Sequence, residues 1–207
     1  MTDLELHAIS LKKVFNRRVI FQDISFSLRS GQTLIVTGKN GSGKSTLVKI
    51  ISHILTPSNG KVEFVSSSRP PSLPQDLIGL VSPYLQLYEE FSARENLQFS
   101  LAIRGMASRD SAIDDLLGRF TLRARMNDPV QTYSSGMKQR VKLAMALIHQ
   151  PPILILDEPM SNLDHEGISS VREVMATHRK KGLLVVATND LTDIDTYDFQ
   201  VDLNASR

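Results

Sequence analysis

The sequence predicts an α/β fold in which a sheet-rich body carries an inserted group of helices. Three observations support this prediction. Several strand-like segments precede the first helix, a glycine-rich segment joins an apolar strand to that helix, and helices alternate with apolar strands in the last third of the chain. Such alternation is typical of a parallel sheet covered by helices. A chain of 207 residues can bury enough apolar surface to fold without disulfides or metals.

The first third of the chain is expected to consist mainly of strands. The segments LELHAISL, RVIFQD, ISFSL and TLIVTG are rich in apolar residues and are separated by polar or glycine-containing turns. A helical pattern follows from Lys44 to Leu55 and predicts one core-facing stripe. That stripe consists of Leu47, Ile50, Ile51, Ile54 and Leu55. The turn TPSNG then leads to the strand KVEFV, and the segment SSSRPPSLPQD is expected to be an exposed loop.

A helical signal occupies residues 92–126. Ser92 and Glu95, three residues apart, predict a capping box at the start of LQFSLAIRG. Ser108 or Ser111 is the candidate cap of a second helix through AIDDLLGRF. Because these helices interrupt the strand pattern, they suggest an inserted sub-lobe.

From Met137 onward the predicted order is helix, strand ILIL, helix at about residues 165–180, and strand LLVV. Both strands are short apolar runs without alternation, which is typical of strands that are buried on both faces. The second run ends in Thr188, Asn189 and Asp190. Ligands of open α/β sheets bind outside the carboxyl ends of such strands, so these polar residues are candidates for a site.

Composition excludes several classes of protein. The chain has no cysteine, so it forms no disulfide and has no thiol nucleophile. Its start lacks the pattern of a signal peptide, and no apolar run approaches the roughly 20 residues that span a bilayer. Net charge is only +2, and the basic run at residues 179–181 fits the C-terminus of a helix. We expect a soluble, cytoplasmic protein that does not bind nucleic acid.

The segment GKNGSGKST, residues 38–46, fits the pattern G-x-x-x-x-G-K-[ST] between a strand and a helix. Glycines let the backbone turn so that its N–H groups surround phosphate oxygens, and the helix N-terminus adds a positive dipole. Lys44 would reach the β- and γ-phosphates, and Ser45 would offer its hydroxyl to Mg²⁺. The alternative is a glycine-rich turn that binds nothing. The candidate phosphate-binding residues are Gly38, Lys39, Asn40, Gly41, Ser42, Gly43, Lys44, Ser45 and Thr46.

A second motif, PPILILDEP, places Asp157 and Glu158 at the carboxyl end of an apolar strand. Two acids there are costly to desolvate unless a cation is close, and a Mg·ATP site provides one. In that case Asp157 holds Mg²⁺, and Glu158 is the general base that activates water. The alternative is a strand that simply stops at an acidic turn.

The segment YSSGMKQR, residues 133–140, resembles the signature motif of ABC ATPases, and it lies shortly before the Asp157–Glu158 strand as in that family. The segment SNLD, residues 161–164, is similar to the family's D-loop. Phe15 stands where an aromatic residue usually stacks on adenine, although it could also be a core aromatic. The resemblance covers nearly the whole chain. It implies a P-loop NTPase (RecA-like) core with an N-terminal antiparallel β subdomain and an inserted α-helical subdomain.

The resemblance also implies how such a chain works. Two nucleotide-binding subunits, here most simply a homodimer, would enclose ATP between the P-loop of one and Ser134, Ser135 and Gly136 of the other. Residues 1–83 and 141–207 would form the β-subdomain and P-loop core. Residues 84–140 would form the helical subdomain, which in transporters contacts an integral membrane permease.

The sequence departs from the family pattern at four places. Ser135 and Met137 replace the usual glycine and glutamine of the signature. Pro83 stands at the position of the usual Q-loop glutamine, so either Gln86 reaches the Mg²⁺ site or the contact is absent. Asn189 stands at the position of the switch histidine; its amide can still donate a hydrogen bond to the γ-phosphate, but it cannot become a cation.

The expected function is therefore that of an ATP-hydrolysing subunit of a membrane transporter, peripheral on the cytoplasmic face of the membrane. In its small size and short first lobe the chain resembles the haem-exporter subunits of cytochrome c maturation. Catalysis would depend on Glu158, Lys44 and Asn189, and hydrolysis by the isolated chain would be slow. The alternatives are a soluble ABC ATPase acting on nucleic acid or ribosomes, and a small-molecule P-loop kinase, which leaves YSSGMKQR unexplained.

Overall fold

The computed structural model describes residues 3–66 and 74–204. The strands are β1 Leu4–Phe15, β2 Arg18–Arg29, β3 Thr33–Thr37, β4 Asn59–Ser66, β5 Ile78–Val81, β6 Ile153–Asp157, β7 Leu183–Ala187 and β8 Phe199–Asp202. The helices are α1 Lys44–Ile51, α2 Pro74–Leu77, α3 Ala93–Ala102, α4 Asp110–Arg119, α5 Ser135–Leu147 and α6 His165–Arg179. Short 3-10 helices lie at Arg123–Arg125, Val130–Thr132 and Leu191–Asp193.

The larger sheet is parallel and has the strand order β5-β6-β7-β3-β8. Every residue of β3, β6 and β7 is buried, which confirms the predicted strands TLIVTG, ILIL and LLVV. The two edge strands do not stand out in the sequence, because β5 has only 4 residues and β8 is mostly exposed. The carboxyl ends of the central strands bring the P-loop, Asp157 and Thr188 to the same edge of the sheet.

The smaller sheet is antiparallel, with the order β2-β1-β4, as the family resemblance implies. The predicted strands LELHAISL and KVEFV are confirmed, but RVIFQD and ISFSL form one strand rather than two. Asp23 adopts a φ of 57° there. The pairing shifts between Leu11–Ile24 and Lys13–Phe21, so an irregularity in the ladder replaces the expected turn.

Two apolar clusters pack on opposite faces of the parallel sheet. Leu154 and Leu184 contribute to the cluster that also contains residues of α3, α4, α5 and α6. Their neighbours Ile155 and Val185 contribute to the cluster that contains residues of α1 and the antiparallel sheet. Consecutive strand residues point to opposite faces, so each central strand serves both clusters.

Helix α1 ends at Ile51, four residues before the predicted end at Leu55. His53 adopts a φ of 57°, and the N–H groups of Ile54 and Leu55 both donate to the carbonyl of Lys49, at 2.9 and 3.0 Å. A residue in the left-handed region stops the helix. As a result Ile54 is 61% exposed, so its predicted place in the core stripe is wrong.

The capping box of α3 is confirmed, because Glu95 N–H donates to Ser92 Oγ at 3.2 Å and Ser92 N–H donates to Glu95 Oε2 at 2.8 Å. Helix α5 begins at Ser135, two residues before the predicted Met137, because Ser134 caps it. Within residues 3–66 and 74–204, no helix is long and apolar enough to cross a bilayer.

The predicted caps of α4 are wrong. Arg109 occupies the N-cap position and makes no side-chain capping bond. The Ser108 hydroxyl instead donates to Asp110 Oδ1 at 2.7 Å, and Ser111 lies inside the helix.

The predicted loop SSSRPPSLPQD is only partly described. Ser66 is the last residue of β4, and residues 67–73 lie outside the described residues. Residues 74–76 belong to the short helix α2, so the loop prediction is wrong for them.

Candidate active site

The loop between β3 and α1 depends on its glycines. Gly38 has a φ of 148°, and a Cβ there would lie 2.4 Å from Ser42 Oγ. Gly43 has a φ of 109°, and a Cβ there would lie 2.6 Å from Ile20 Cγ2. Positive φ values and these close approaches exclude larger residues. The loop therefore leads directly into the N-terminus of α1, where backbone N–H groups and the helix dipole favour an anion.

Lys44 is the first residue of α1, and its side chain folds back over the loop. It is 6% exposed, and its Nζ donates to the carbonyl of Gly38 at 2.9 Å. The same Nζ lies 3.1 Å from Glu158 Oε1. An ammonium group has three donors, and these contacts use two of them. The cation is thus buried, oriented and able to donate to one more acceptor.

Asp157 is the last residue of β6 and is completely buried. Its Oδ2 lies 3.5 Å from Ser82 Oγ, and its Oδ1 has no hydrogen-bond partner in the described part of the chain. Burial raises the pKa of Asp157, and the hydrogen bond from the Ser45 hydroxyl acts in the opposite direction. A buried carboxylate with an unpartnered oxygen beside a hydroxyl fits a hard cation such as Mg²⁺.

The donor set is too small to hold a metal alone. Among the described residues, no group of three or more His, Cys, Asp and Glu side chains could hold an ion. Mg²⁺ is usually bound by one or two carboxylates together with phosphates of the substrate and water. The residues present therefore fit a cation that arrives with a nucleotide.

Glu158 follows Asp157 in a strained turn. Its φ is 49°, and its N–H donates to the carbonyl of Ala187 at 2.8 Å, which ties the turn to the end of β7. A non-glycine residue in this region of the backbone costs energy and is found most often at functional sites. The turn directs the carboxylate toward Lys44 rather than along the sheet.

A groove of about 330 Å³ joins these parts. It brings together one aromatic residue of β1, the phosphate loop and the carboxylate after β6. The lining residues are Phe15, Ile20, Asn40, Gly41, Gly43, Lys44, Ser45, Thr46, Pro83, Tyr84 and Glu158. A larger groove of about 660 Å³ between α4, α5 and α6 is lined by none of these residues. The smaller groove is therefore the candidate active site, because it holds the phosphate loop and the carboxylate of Glu158 and the larger one does not.

Two aromatic side chains face the smaller groove. Phe15 is 43% exposed, so the interpretation as a core aromatic is wrong. Tyr84 is 61% exposed, and Lys49 Nζ lies 3.8 Å from the centre of its ring. Tyr84 and Ile20 also line the groove, but they belong to no recognised motif, so the sequence did not predict them as site residues.

Other predicted residues lie outside the groove lining. Gln86 is exposed and makes no side-chain hydrogen bond in the described part of the chain, whereas Pro83 lines the groove. Asn189 is exposed, two residues after the end of β7, and is not a lining residue. Gly38, Lys39 and Ser42 also do not line it, and Ser42 is buried in the loop interior.

The signature segment lies at the N-terminus of α5, and none of its residues lines this groove. The Ser134 hydroxyl accepts a hydrogen bond from Met137 N–H at 3.2 Å, and both Ser134 and Ser135 are exposed. A Cβ at Gly136 would lie 3.4 Å from the carbonyl oxygen of Asn162. The backbone of the signature segment therefore lies within ordinary contact distance of residues 161–164.

A buried arginine fixes α5 to the segment that follows Glu158. Arg140 Nη2 lies 2.7 Å from Asp164 Oδ1, and Arg140 Nη1 donates to Thr121 Oγ1 at 2.6 Å. Asp164 also caps α6 by accepting from Gly167 N–H at 2.8 Å. Sequence reasoning missed Arg140, although it is the last residue of YSSGMKQR.

A glycine-rich loop at a helix N-terminus, a buried lysine and two carboxylates at the end of the adjacent strand together define a P-loop nucleoside-triphosphate-binding protein. The sequence profile described as ABC transporter matches residues 21–161. The chain belongs to the ABC transporter family, as an ATP-binding cassette with ATPase chemistry.

Relatives of known name support this assignment. The chain is 33% identical over 193 residues to the cytochrome c biogenesis ATP-binding export protein CcmA of Methylococcus capsulatus, covering 91% of this chain and 92% of that protein. It is 32% identical to the lantibiotic transport ATP-binding protein SrtF of Streptococcus pyogenes, covering 90% and 80%. The fold superposes with a TM-score of 0.81 on a dimeric ATP-binding cassette in a post-hydrolysis state with ADP and Pi, at 24% identity and 91% and 89% coverage.

Proposed function

We propose that this chain is the ATP-hydrolysing subunit that drives an ABC membrane transporter of the exporter type. The observation that carries the proposal is the groove in which Phe15, Lys44, Ser45 and Glu158 meet. The relatives from Methylococcus capsulatus and Streptococcus pyogenes are named as an export and a transport protein, which supports an export role. Cytochrome c biogenesis is the more specific process that the first of these names suggests.

Each part of the groove has a chemical task. The N–H groups of the P-loop and α1 bind phosphate oxygens, Lys44 donates to the β- and γ-phosphates, and Phe15 stacks on adenine. Glu158 accepts the proton of the attacking water as general base. Ser45 and Asp157 would hold Mg²⁺, which supplies positive charge to the phosphate oxygens when MgATP is bound.

The active unit is a dimer of two such chains. Ser134, Ser135 and Gly136 lie at the N-terminus of α5, where the dipole favours an anion, and the two serines are exposed. They do not line the groove of their own chain. We therefore assign them to the γ-phosphate of ATP that is bound to the P-loop of a second copy.

The helical part of the chain binds the membrane partner. In this proposal residues 84–140 form that subdomain, and residues 1–83 and 141–207 form the β-subdomain and the P-loop core. An aromatic cluster lies at its start: the rings of Tyr88 and Phe91 are 5.4 Å apart, and Tyr88 and Phe99 are 4.8 Å apart. Tyr88 is 51% and Phe91 38% exposed. An integral membrane permease would cover this surface and hold the chain on the cytoplasmic face of the membrane.

The isolated chain is expected to hydrolyse ATP slowly. Pro83 and Asn189 replace two residues that in the family usually lie close to the γ-phosphate. Pro83 has no polar side-chain atom, and Asn189 cannot carry a positive charge. Contact with the permease would then raise the rate.

The test is co-purification from membranes. A tagged chain should recover a polytopic membrane protein, and a chain with both Tyr88→Ser and Phe91→Ser should recover much less of it. The matched control replaces Tyr197 and Phe199, which are 41% and 39% exposed, with serine. Recovery of soluble nucleic-acid complexes without a membrane protein would refute the proposal.

A further inference from the structure

Ser82 lies beside the end of β6, although it belongs to a distant part of the sequence. Val81 pairs with Leu156 in the parallel ladder, so the next residues, Ser82 and Asp157, lie at the same level. Ser82 is 5% exposed, and its Oγ lies 3.5 Å from Asp157 Oδ2. The hydroxyl thus belongs to the small buried shell around this carboxylate.

A turn fixes the position of Ser82. The N–H of Tyr84 donates to Ser82 Oγ at 3.4 Å, and the N–H of Leu85 donates to the carbonyl of Ser82 at 3.1 Å. These bonds come from the same segment that places Pro83 and Tyr84 in the groove lining. Ser82 therefore links the groove wall to Asp157.

The residues that sequence reasoning considered for this role are less suitable. Pro83 has no polar side-chain atom, and Gln86 is exposed and makes no side-chain hydrogen bond in the described part of the chain. Of these three residues, only Ser82 is buried and within reach of Asp157. Ser82 therefore supplies a polar group beside Asp157 without a glutamine at position 83 or 86.

Ser82 is one of two hydroxyls that bond to Asp157, and the other is that of Ser45. Asp157 is completely buried, and its Oδ1 has no hydrogen-bond partner in the described ranges. A carboxylate that holds a metal is usually held in turn by hydrogen bonds from neighbouring side chains, and these bonds fix its orientation. With Oδ2 bonded to Ser82, Oδ1 is left for the cation or for water bound to it.

We propose that Ser82 is a positioning residue of the Mg²⁺ site, whose hydroxyl donates to Asp157 and orients that carboxylate toward bound MgATP. The inference rests on the proposed function. It gives the Mg²⁺ site a polar group from Ser82, the residue before Pro83, where the family resemblance expects a glutamine.

The experiment measures the affinity for a fluorescent ATP analogue twice, with Mg²⁺ and with EDTA, in the purified full chain. The dissociation constant in EDTA divided by the dissociation constant in Mg²⁺ reports how much the metal strengthens binding. Loss of a hydrogen bond to a metal-holding residue costs about tenfold or more in metal affinity. In Ser82→Ala this ratio should fall by about tenfold, while the affinity in EDTA and the Tm stay unchanged. Ser82→Thr keeps the hydroxyl and should restore the ratio, and Gln86→Ala should leave it unchanged.

The outcomes separate the two proposals. If the wild-type chain binds the analogue equally well with and without Mg²⁺, the proposed MgATP function fails. If the wild type responds to Mg²⁺ and Ser82→Ala responds equally, the role of Ser82 is refuted while the function stands. A loss in Gln86→Ala instead would transfer the role to Gln86. If Ser82→Ala weakens binding of the analogue equally in EDTA and in Mg²⁺, Ser82 only supports the fold, and its proposed role at the metal site is refuted.

Discussion

The Lys44 ammonium and the Glu158 carboxylate lie 3.1 Å apart, between the start of α1 and the end of β6. Lys44 is 6% and the Glu158 side chain 22% exposed, so the pair is largely shielded from water. Both residues are expected to interact with the reacting end of ATP. Because Lys44 Nζ has one donor left, it can donate to an incoming phosphate oxygen while it stays paired with Glu158.

Glu158→Gln removes the proposed general base and weakens the pair with Lys44. We expect ATP turnover to fall by about 100-fold or more, and ATP to stabilise a dimer that does not reopen. Phosphate release and size-exclusion chromatography with MgATP measure the two effects. Glu173→Gln, which changes an exposed pair with Arg119, is the control. Turnover close to the wild-type value would remove Glu158 from the role of base.

Asp157→Asn removes a buried charge that only Lys44 and the hydroxyls of Ser45 and Ser82 offset when Mg²⁺ is absent. Without nucleotide and Mg²⁺ the variant should be more stable by about 1 to 2 kcal/mol, because the desolvation of a buried charge can exceed what its partners return. For a chain of this size the Tm should rise by roughly 2 to 8 °C. The additional Tm increase that Mg²⁺ gives in the presence of ATP should disappear. A lower Tm without metal would contradict this interpretation of the burial.

Phe15→Ala removes the exposed aromatic wall of the groove. Stacking on a base contributes about 1 kcal/mol or more, so the affinity for ATP should fall by about fivefold to tenfold. Phe15→Tyr should retain it, and Phe199→Ala, a change of similar exposure on β8, should have no effect. Isothermal titration with ATP measures the three variants. Equal affinity in Phe15→Ala would show that adenine does not stack there.

Asn189→His introduces a side chain that can become a cation at the position where the family resemblance expects a contact with the γ-phosphate. A positive charge aimed at the developing anion should raise turnover by about tenfold. Steady-state phosphate release from the purified chain provides the measurement. The control is Asn127→His, an exposed substitution in the segment before α5. Turnover equal to that of the wild type would show that Asn189 does not limit the rate.

His149 makes stability depend on pH. Its Nε2 lies 3.1 Å from the carbonyl oxygen of Ile78, its Nδ1 has no partner in the described ranges, and burial lowers its pKa from 6.5 to about 4. Because the unfolded chain binds a proton at higher pH than the folded one, stability is lost as the pH falls from 6.5 toward 4. Between pH 7.5 and 5 the loss from this residue is about 2 kcal/mol.

Urea unfolding at the two pH values tests this expectation. His149→Gln, which keeps a donor for the Ile78 carbonyl, should lose less stability on acidification than the wild type. His165→Gln is the control, because His165 is exposed. An equal pH dependence in His149→Gln and the wild type would contradict it.

Prediction from sequence succeeded where the signal is local. The glycines of the P-loop and the capping box of Ser92 and Glu95 involve residues that are neighbours in the chain, so their spacing is sufficient. It failed where a backbone irregularity intervened. Asp23 and His53 both adopt positive φ values. Asp and His are enriched in that conformation, but most Asp and His residues do not adopt it, so residue type alone does not predict it. For this reason the sequence predicts two strands where β2 is one, and it predicts that α1 ends four residues later than it does.

The sequence by itself determined which residues are candidates for the chemistry: a phosphate loop with Lys44 and Ser45, and Asp157 and Glu158 at the end of an apolar strand. Each of these motifs is contiguous, and its function follows from residue type and backbone conformation. Only the tertiary structure decided that Ser82 lies against Asp157 and that Tyr84 lines the groove. The pairing of β5 with β6 joins segments about 75 residues apart. No local pattern encodes that register, because it arises from packing of the whole sheet.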